Sequence, residues 1–292
     1  MSTKRNVLVA GATGQQGGSV VRALLSKGHR VKALTRKPDS EAARQLRSDG
    51  AEIVNGDLGD AESVRKAASG ADAAFLMGNA NEAGPKEETH QGTIAAEAIR
   101  DAGVGHLIYS SVASADKKTG IPHFDSKYLV EKHIAGLGIP HTISAPASFM
   151  ENITAPWSIG ALRQDTFAFA MPRKRSIQLI AIADIGAFVA ALVERREQVF
   201  GKRFDLAGDE LSGEEQAKIL SEATGRKIAY QEIPIATVRQ QSADVALMFE
   251  WFDRVGADAD IAALHRSFPD VRWHSFADWA RGFDWRVLAR TT

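Results

Sequence analysis

The sequence predicts an α/β fold, a Rossmann-type doubly wound parallel sheet with a smaller C-terminal α/β region. Three observations predict it. Strand-like and helix-like segments alternate every ~20–30 residues, the rhythm of βαβ units. The strand segments are continuous apolar runs rather than alternating ones, as burial on both faces requires. A glycine-rich turn joins the first strand to the first helix.

In chain order, residues 6–10 form a short β-rich run, followed by Gly11-Ala-Thr-Gly14-Gln-Gln-Gly17-Gly18. Val20, Val21, Leu24 and Leu25 then share one face of a helix over 19–26, stopped by Lys27-Gly28. Arg30–Thr35 is the second strand and Glu41–Ser48 the next helix, stopped by Asp49-Gly50. A third strand over 51–54 closes on Asn55-Gly56-Asp57 and leads to a helix over 60–68. Ala73–Met77, 106–110 and 141–144 read as further strands, separated by helices over 87–102 and 124–137. After about Ser148 the rhythm breaks. Strands are expected at 177–181, Arg203–Leu206 and 228–233, and helices at 184–194, 213–222 and 235–251. The segment from Phe268 reads as a turn and a short helix carrying Trp273, Trp279 and Trp285, which with Trp251 are expected to pack in a core, against the alternative of a protein contact.

The 292 residues carry 36 Lys+Arg against 36 Asp+Glu, so the formal net charge is 36 − 36 = 0. Direct nucleic-acid binding through bulk charge is therefore not expected, and the clusters Arg173-Lys174-Arg175 and Arg195-Arg196 lack interleaved aromatics. The absence of cysteine removes disulfides, thiolate metal sites and cysteine nucleophiles. The longest nearly apolar run, 180–193, is interrupted by Asp184 and falls short of the ~20 residues of a spanning helix. With no signal-peptide pattern at the start, a cytoplasmic chain is expected. The eight histidines form no i, i+4 ligand pair with nearby carboxylates, so no metal is expected. A hydrolase elbow is missing too, since no Gly-x-Ser-x-Gly occurs.

Each glycine of the turn has a distinct physical role. One permits a tight turn, one lets backbone N–H groups approach a pyrophosphate, and one allows close helix–sheet packing. Gly11, Thr13, Gly14, Gln15, Gln16 and Gly17 are the expected dinucleotide contacts, against the plainer reading of a structural turn. The end of the second strand discriminates the cofactor. An NAD site places a carboxylate there, about 20 residues on, to hold the ribose 2′-OH. This chain has Thr35-Arg36-Lys37-Pro38, with 36 − 14 = 22 residues from Gly14 to Arg36. A guanidinium pairs with a 2′-phosphate, so NADP(H) is the expected cofactor, unless Arg36 and Lys37 are only a solvated strand end. Asp57 and Leu58, after the third strand, are placed to reach the adenine, or Asp57 caps a turn. The expected division is a dinucleotide-binding region over 1–150 and a substrate or partner region over 151–292.

With these residues in view, the chain resembles the NmrA-like family, an atypical branch of the short-chain dehydrogenase/reductase superfamily. The resemblance rests on the glycine turn, Thr35-Arg36-Lys37-Pro38, Gly56-Asp57-Leu58, His123-Phe-Asp-Ser-Lys127 and Phe149-Met-Glu-Asn152. It is specific in the N-terminal half and loose in the C-terminal half. It implies that Arg36, Asn79, Lys127, Phe149 and Asn152 lie near the dinucleotide. It also implies a regulatory protein partner or a small-molecule substrate; a homodimer stays open.

Reductases of that superfamily carry a Tyr four residues before a Lys on one helix face. Here the Lys is Lys127, and 127 − 4 = 123 is His123. Tyr128 points ~100° away around the helix and does not substitute. Two readings follow. In the first, the proton donor is lost, Lys127 binds cofactor or seals the nicotinamide pocket, and the protein senses the NADPH/NADP⁺ ratio and acts through a partner. In the second, His123 is the acid and Ser110 or Ser111 polarises a carbonyl, giving an NADPH-dependent oxidoreductase for a small ketone, quinone or imine. Plainer roles stand beside these: a helix-start residue for His123, an exposed lysine for Lys127, a polar strand end for Ser110 and Ser111. The segment 78–85 is expected to be mobile.

Overall fold

The computed structural model describes residues 4–79, 82 and 84–289. The first half builds as the apolar runs dictate: β1 (Asn6–Val9), α1 (Gln15–Ser26), β2 (Arg30–Thr35), α2 (Glu41–Ser48), β3 (Glu52–Asn55), α3 (Ala61–Ala68), β4 (Ala73–Met77), α4 (Pro85–Asp101), β5 (Leu107–Ser110), α5 (Pro122–Gly136) and β6 (His141–Pro146). The remaining elements are β7 (Ser148–Phe149), α6 (Ile159–Leu162), β8 (Thr166–Phe169), β9 (Ser176–Ile180), α7 (Ile182–Glu194), α8 (Arg196–Val199), β10 (Arg203–Leu206), β11 (Asp209–Ser212), α9 (Gly213–Thr224), β12 (Ala229–Glu232), α10 (Ile235–Gln241), α11 (Ala243–Arg254), α12 (Ile261–Ser267) and α13 (Phe276–Gly282).

The sheet order is β10-β6-β5-β4-β1-β2-β3, and the pairs β6-β5, β5-β4, β4-β1, β1-β2 and β2-β3 are parallel. The chain winds outward from β1 through β2 to β3, then returns to place β4 on the other side of β1. The gap beyond the C-terminal ends of β1 and β4 is thus the topological switch point, where open α/β sheets bind their ligands. Leu8, Leu76, Leu107 and Tyr109 of the sheet bury against Val64, Ile99, Val130 and Ile134 of α3, α4 and α5.

The chain divides into two compact units that are not consecutive: 1–146 with 182–205 and 267–272, and 147–181 with 206–266 and 273–292. The expected single boundary at 150 omits the return of 182–205 to the first unit. That return has a packing cause. A Cβ on Gly186 of α7 would stand 2.5 Å from Ser19 Oγ, so α1 and α7 cross at close range. Phe188, Phe204 and Phe268 form edge-to-face pairs within the same unit.

The second unit holds the sheet β11-β9-β7 and the pair β12-β8. Its core gathers Met150, Phe167, Leu179, Leu220, Tyr230, Phe276 and Trp279. Trp251 and Trp279 are buried, whereas Trp157 is 76% exposed. Two expectations are corrected. The single helix over 235–251 is broken, because Ser242 is extended (φ −155°) and its side chain accepts the Val245 N–H, capping α11 anew. Strands β8 and β11 add to those expected: β8 pairs in parallel with β12, and β11 (Asp-Glu-Leu-Ser), which has no apolar run, pairs antiparallel with β9.

Candidate functional site

Gly11 turns the chain out of β1 with φ 65°, and its carbonyl accepts the Gly14 N–H at 3.0 Å. A Cβ on Gly17 would lie 2.2 Å from that carbonyl oxygen, so the third glycine is fixed by the turn folding onto α1. Gly14 caps α1 with no side-chain hydrogen bond, and the first turn has no acidic residue. Helices α2 and α3, by contrast, are capped by Ser40 and Asp60. The α1 start therefore offers N–H groups and the positive helix end. Gly11, Thr13, Gly14 and Gln15 are exposed beside it. Gln16 is buried and donates to Ser110 Oγ at 2.8 Å, tying the loop to the end of β5. This donor set fits a pyrophosphate.

At the end of β2 the Arg36 guanidinium is exposed and pairs with the Glu82 carboxylate, which raises its pKa. Glu82 was not foreseen from the sequence. Asp57 accepts the Gly59 N–H at 2.9 Å, so its side chain closes an Asx turn. Leu58 packs partly against the core. The Asn79 carbonyl accepts the Glu82 N–H at 3.1 Å. Of the segment expected to be mobile, residues 80, 81 and 83 lie outside the described residues.

A second group forms where β4 ends. Gly78 follows β4, and a Cβ there would stand 2.7 Å from Glu88 Cγ on α4. Glu88 has no exposed side-chain surface, yet both oxygens are engaged: Ser126 Oγ donates to Oε2 and Lys127 Nζ to Oε1, each at 2.6 Å. Lys127 keeps 15% of its side chain exposed. His123 starts the same helix, half-buried, with its ring edge-on to Phe124 and its carbonyl accepting from Ser126 Oγ. Tyr128 instead carries Lys132 over its ring.

Ser111, after β5, donates its hydroxyl to Glu131, one turn beyond Lys127 on α5. Glu131 accepts Arg203 Nε at 3.1 Å, and Arg203 also pairs with Asp205 and lies 3.7 Å from Asp116. Burial pushes the Glu131 and Asp205 carboxyls up, against the pull of Arg203. Tyr109, fully buried in β5, has its phenol raised well above the usual range by burial and by Glu88 and Glu131. Glu88, Arg203 and Asp205 were not foreseen: Glu88 lies 39 positions from Lys127 and Arg203 lies 72 from Glu131. Lys127 and Glu131 stand at i, i+4 spacing on α5, yet each pairs elsewhere, with Glu88 and with Arg203.

Phe149 and Asn152 belong to the second unit. There Phe149 pairs in register with Ile180, and Asn152 Nδ2 lies 3.5 Å from Ser148 Oγ. Among the described residues, no group of three His, Cys, Asp or Glu could hold a metal, and no helix is long and apolar enough to cross a membrane.

The NmrA-like family model matches residues 3–280, so the match extends well beyond the N-terminal half that carried the resemblance. An NmrA-like family domain-containing protein of Dictyostelium discoideum is 28% identical over 86% of this chain and 88% of its own length. Among solved structures, the triphenylmethane reductase of Citrobacter sp. complexed with NADP(H) superimposes with a TM-score of 0.80 at 20% identity, covering 94% of this chain and 99% of its own. NmrA, a negative transcriptional regulator, in complex with NADP, gives 0.79 at 21% identity over 96% of this chain and 95% of its own.

Proposed function

For a chain that belongs to the NmrA-like family, we propose an NADP(H)-binding protein that responds to the NADPH/NADP⁺ ratio and acts through a protein partner. The observation that carries the proposal is the pairing of an uncapped, acid-free α1 start with Arg36 at the end of β2. Backbone N–H groups of the glycine turn hold the pyrophosphate, and Arg36 exchanges Glu82 for the 2′-phosphate. When bound, the nicotinamide supplies hydride chemistry. Groups that a reductase site would use are instead committed inward: Lys127 to Glu88, Ser111 to Glu131, and Ser110 to Gln16. With no tyrosine at position 123, this favours sensing over turnover. The family likeness to both a regulator and a reductase supports either outcome.

The second reading, an NADPH-dependent oxidoreductase for a small ketone, quinone or imine, rests on His123 standing four residues before Lys127 on α5. Fluorescence titration tests the cofactor: NADPH is expected to bind at least ~10-fold tighter than NADH. Arg36→Asp reverses that order. Equal affinities in the wild type would remove Arg36 from the 2′-phosphate site. Turnover of a quinone by the wild type that is lost in His123→Ala would decide for the reductase.

A further inference from the structure

We infer that the buried Glu88–Lys127 pair sets the preference between NADP⁺ and NADPH, because Glu88 cancels a lysine charge that would otherwise repel the oxidised nicotinamide. The inference rests on the cofactor reading above. Several contacts place the pair at the switch point. A Cβ on Gly11 would stand 2.8 Å from Met77 Sδ, so the glycine turn lies against the end of β4. The next residue, Gly78, lies against Glu88 with no room for a side chain. Glu88 in turn holds Lys127. The chain of contacts thus runs from the pyrophosphate turn to the lysine along the crevice between β1 and β4.

The oxidised nicotinamide ring carries a positive charge and the reduced ring is neutral, so any net charge beside it discriminates the two forms. The pair as it stands is neutral, +1 from Lys127 and −1 from Glu88. The low-dielectric setting of a fully buried carboxylate makes that cancellation matter more than on the surface. Tyr109, raised by burial, stays a neutral phenol and adds no charge. The absence of cysteine leaves this electrostatic route open where a thiol switch is not.

The test is the ratio Kd(NADP⁺)/Kd(NADPH), measured by calorimetric titration of the full chain. Glu88→Gln leaves Lys127 uncancelled, and the ratio is expected to rise on the order of 10-fold. Lys127→Met leaves Glu88 uncancelled and lowers the ratio by a similar factor. The double variant is neutral again and returns to within about twofold of the wild type. Mere structural damage weakens both ligands together and leaves the ratio fixed. If Glu88→Gln fails to fold, Lys127→Met and the double variant still give the opposed signs. Single variants that leave the ratio unchanged, or move it the same way, overturn the inference. A wild type that binds neither form overturns the cofactor reading instead.

Discussion

Glu88 reaches α5 from α4 and meets one cation, Lys127, with a serine hydroxyl filling its second oxygen. Glu131, on α5 itself, shares its cation with two other carboxylates, since Arg203 serves Glu131, Asp205 and Asp116. The first group is balanced; the second, fully ionised, carries +1 against −3. Burial is tolerated in both because each oxygen of Glu88, Glu131 and Asp205 finds a donor, but only the second stores an unresolved charge. A balanced pair can be read by a ligand's charge, whereas a crowded one is read by stability.

The largest effect is expected from Arg203→Met. It strips the cation from two largely buried carboxylates and one at the rim, and urea unfolding should show a loss of about 3–5 kcal/mol. Lys127→Met is expected to lose less, because it orphans one carboxylate that keeps Ser126. A larger loss in Lys127→Met would reverse the comparison.

The two groups also separate by pH. Glu131 and Asp205 have carboxyls raised on folding. A raised carboxyl binds protons more readily in the folded chain, so its contribution is complete below the ordinary carboxylate value and lost as pH rises through the raised one. Acidifying from neutrality towards the ordinary range should therefore raise the stability of the wild type relative to Glu131→Gln. For a single group the slope is at most about 1.4 kcal/mol per pH unit. Parallel thermal-melting profiles for the two proteins would show that Arg203 already neutralises the cluster.

Much of the first unit was legible because its signals are local. The glycine turn, the apolar strands and the cationic end of β2 each lie within a few residues, and β2, α2 and β4 fall where the sequence placed them. The polar partners were not legible, for a physical reason. Glu88 sits in a run of charged residues, Lys86-Glu87-Glu88, that reads as a solvated helix start. Only the arrival of Gly78 from β4 and Ser126 and Lys127 from α5 buries it. Glu82 escaped for the same reason, since its pairing with Arg36 spans 46 positions. In the second unit β9 and β12 fall close to where the sequence placed them, but β7 is two residues long, β11 (Asp-Glu-Leu-Ser) carries no apolar run, and Ser242 breaks a helix whose apolar residues continue across the cap.

The smallest effect, and the sharpest probe of the space between the two groups, is expected at Tyr109. Its hydroxyl is buried with no hydrogen-bond partner among the described residues, and both Glu88 and Glu131 push its phenol up. A buried hydroxyl without a partner costs on the order of 1 kcal/mol, so Tyr109→Phe should be neutral to stabilising by up to about that amount. The ring keeps its place in the core, and neither carboxylate loses a described hydrogen bond. Thermal unfolding that rises by a few degrees or stays level is the expected result. A clear drop in melting temperature would instead show that the phenol donates to one of the two carboxylates in solution. Repeating the substitution in Glu88→Gln and in Glu131→Gln would identify which one by the loss of coupling.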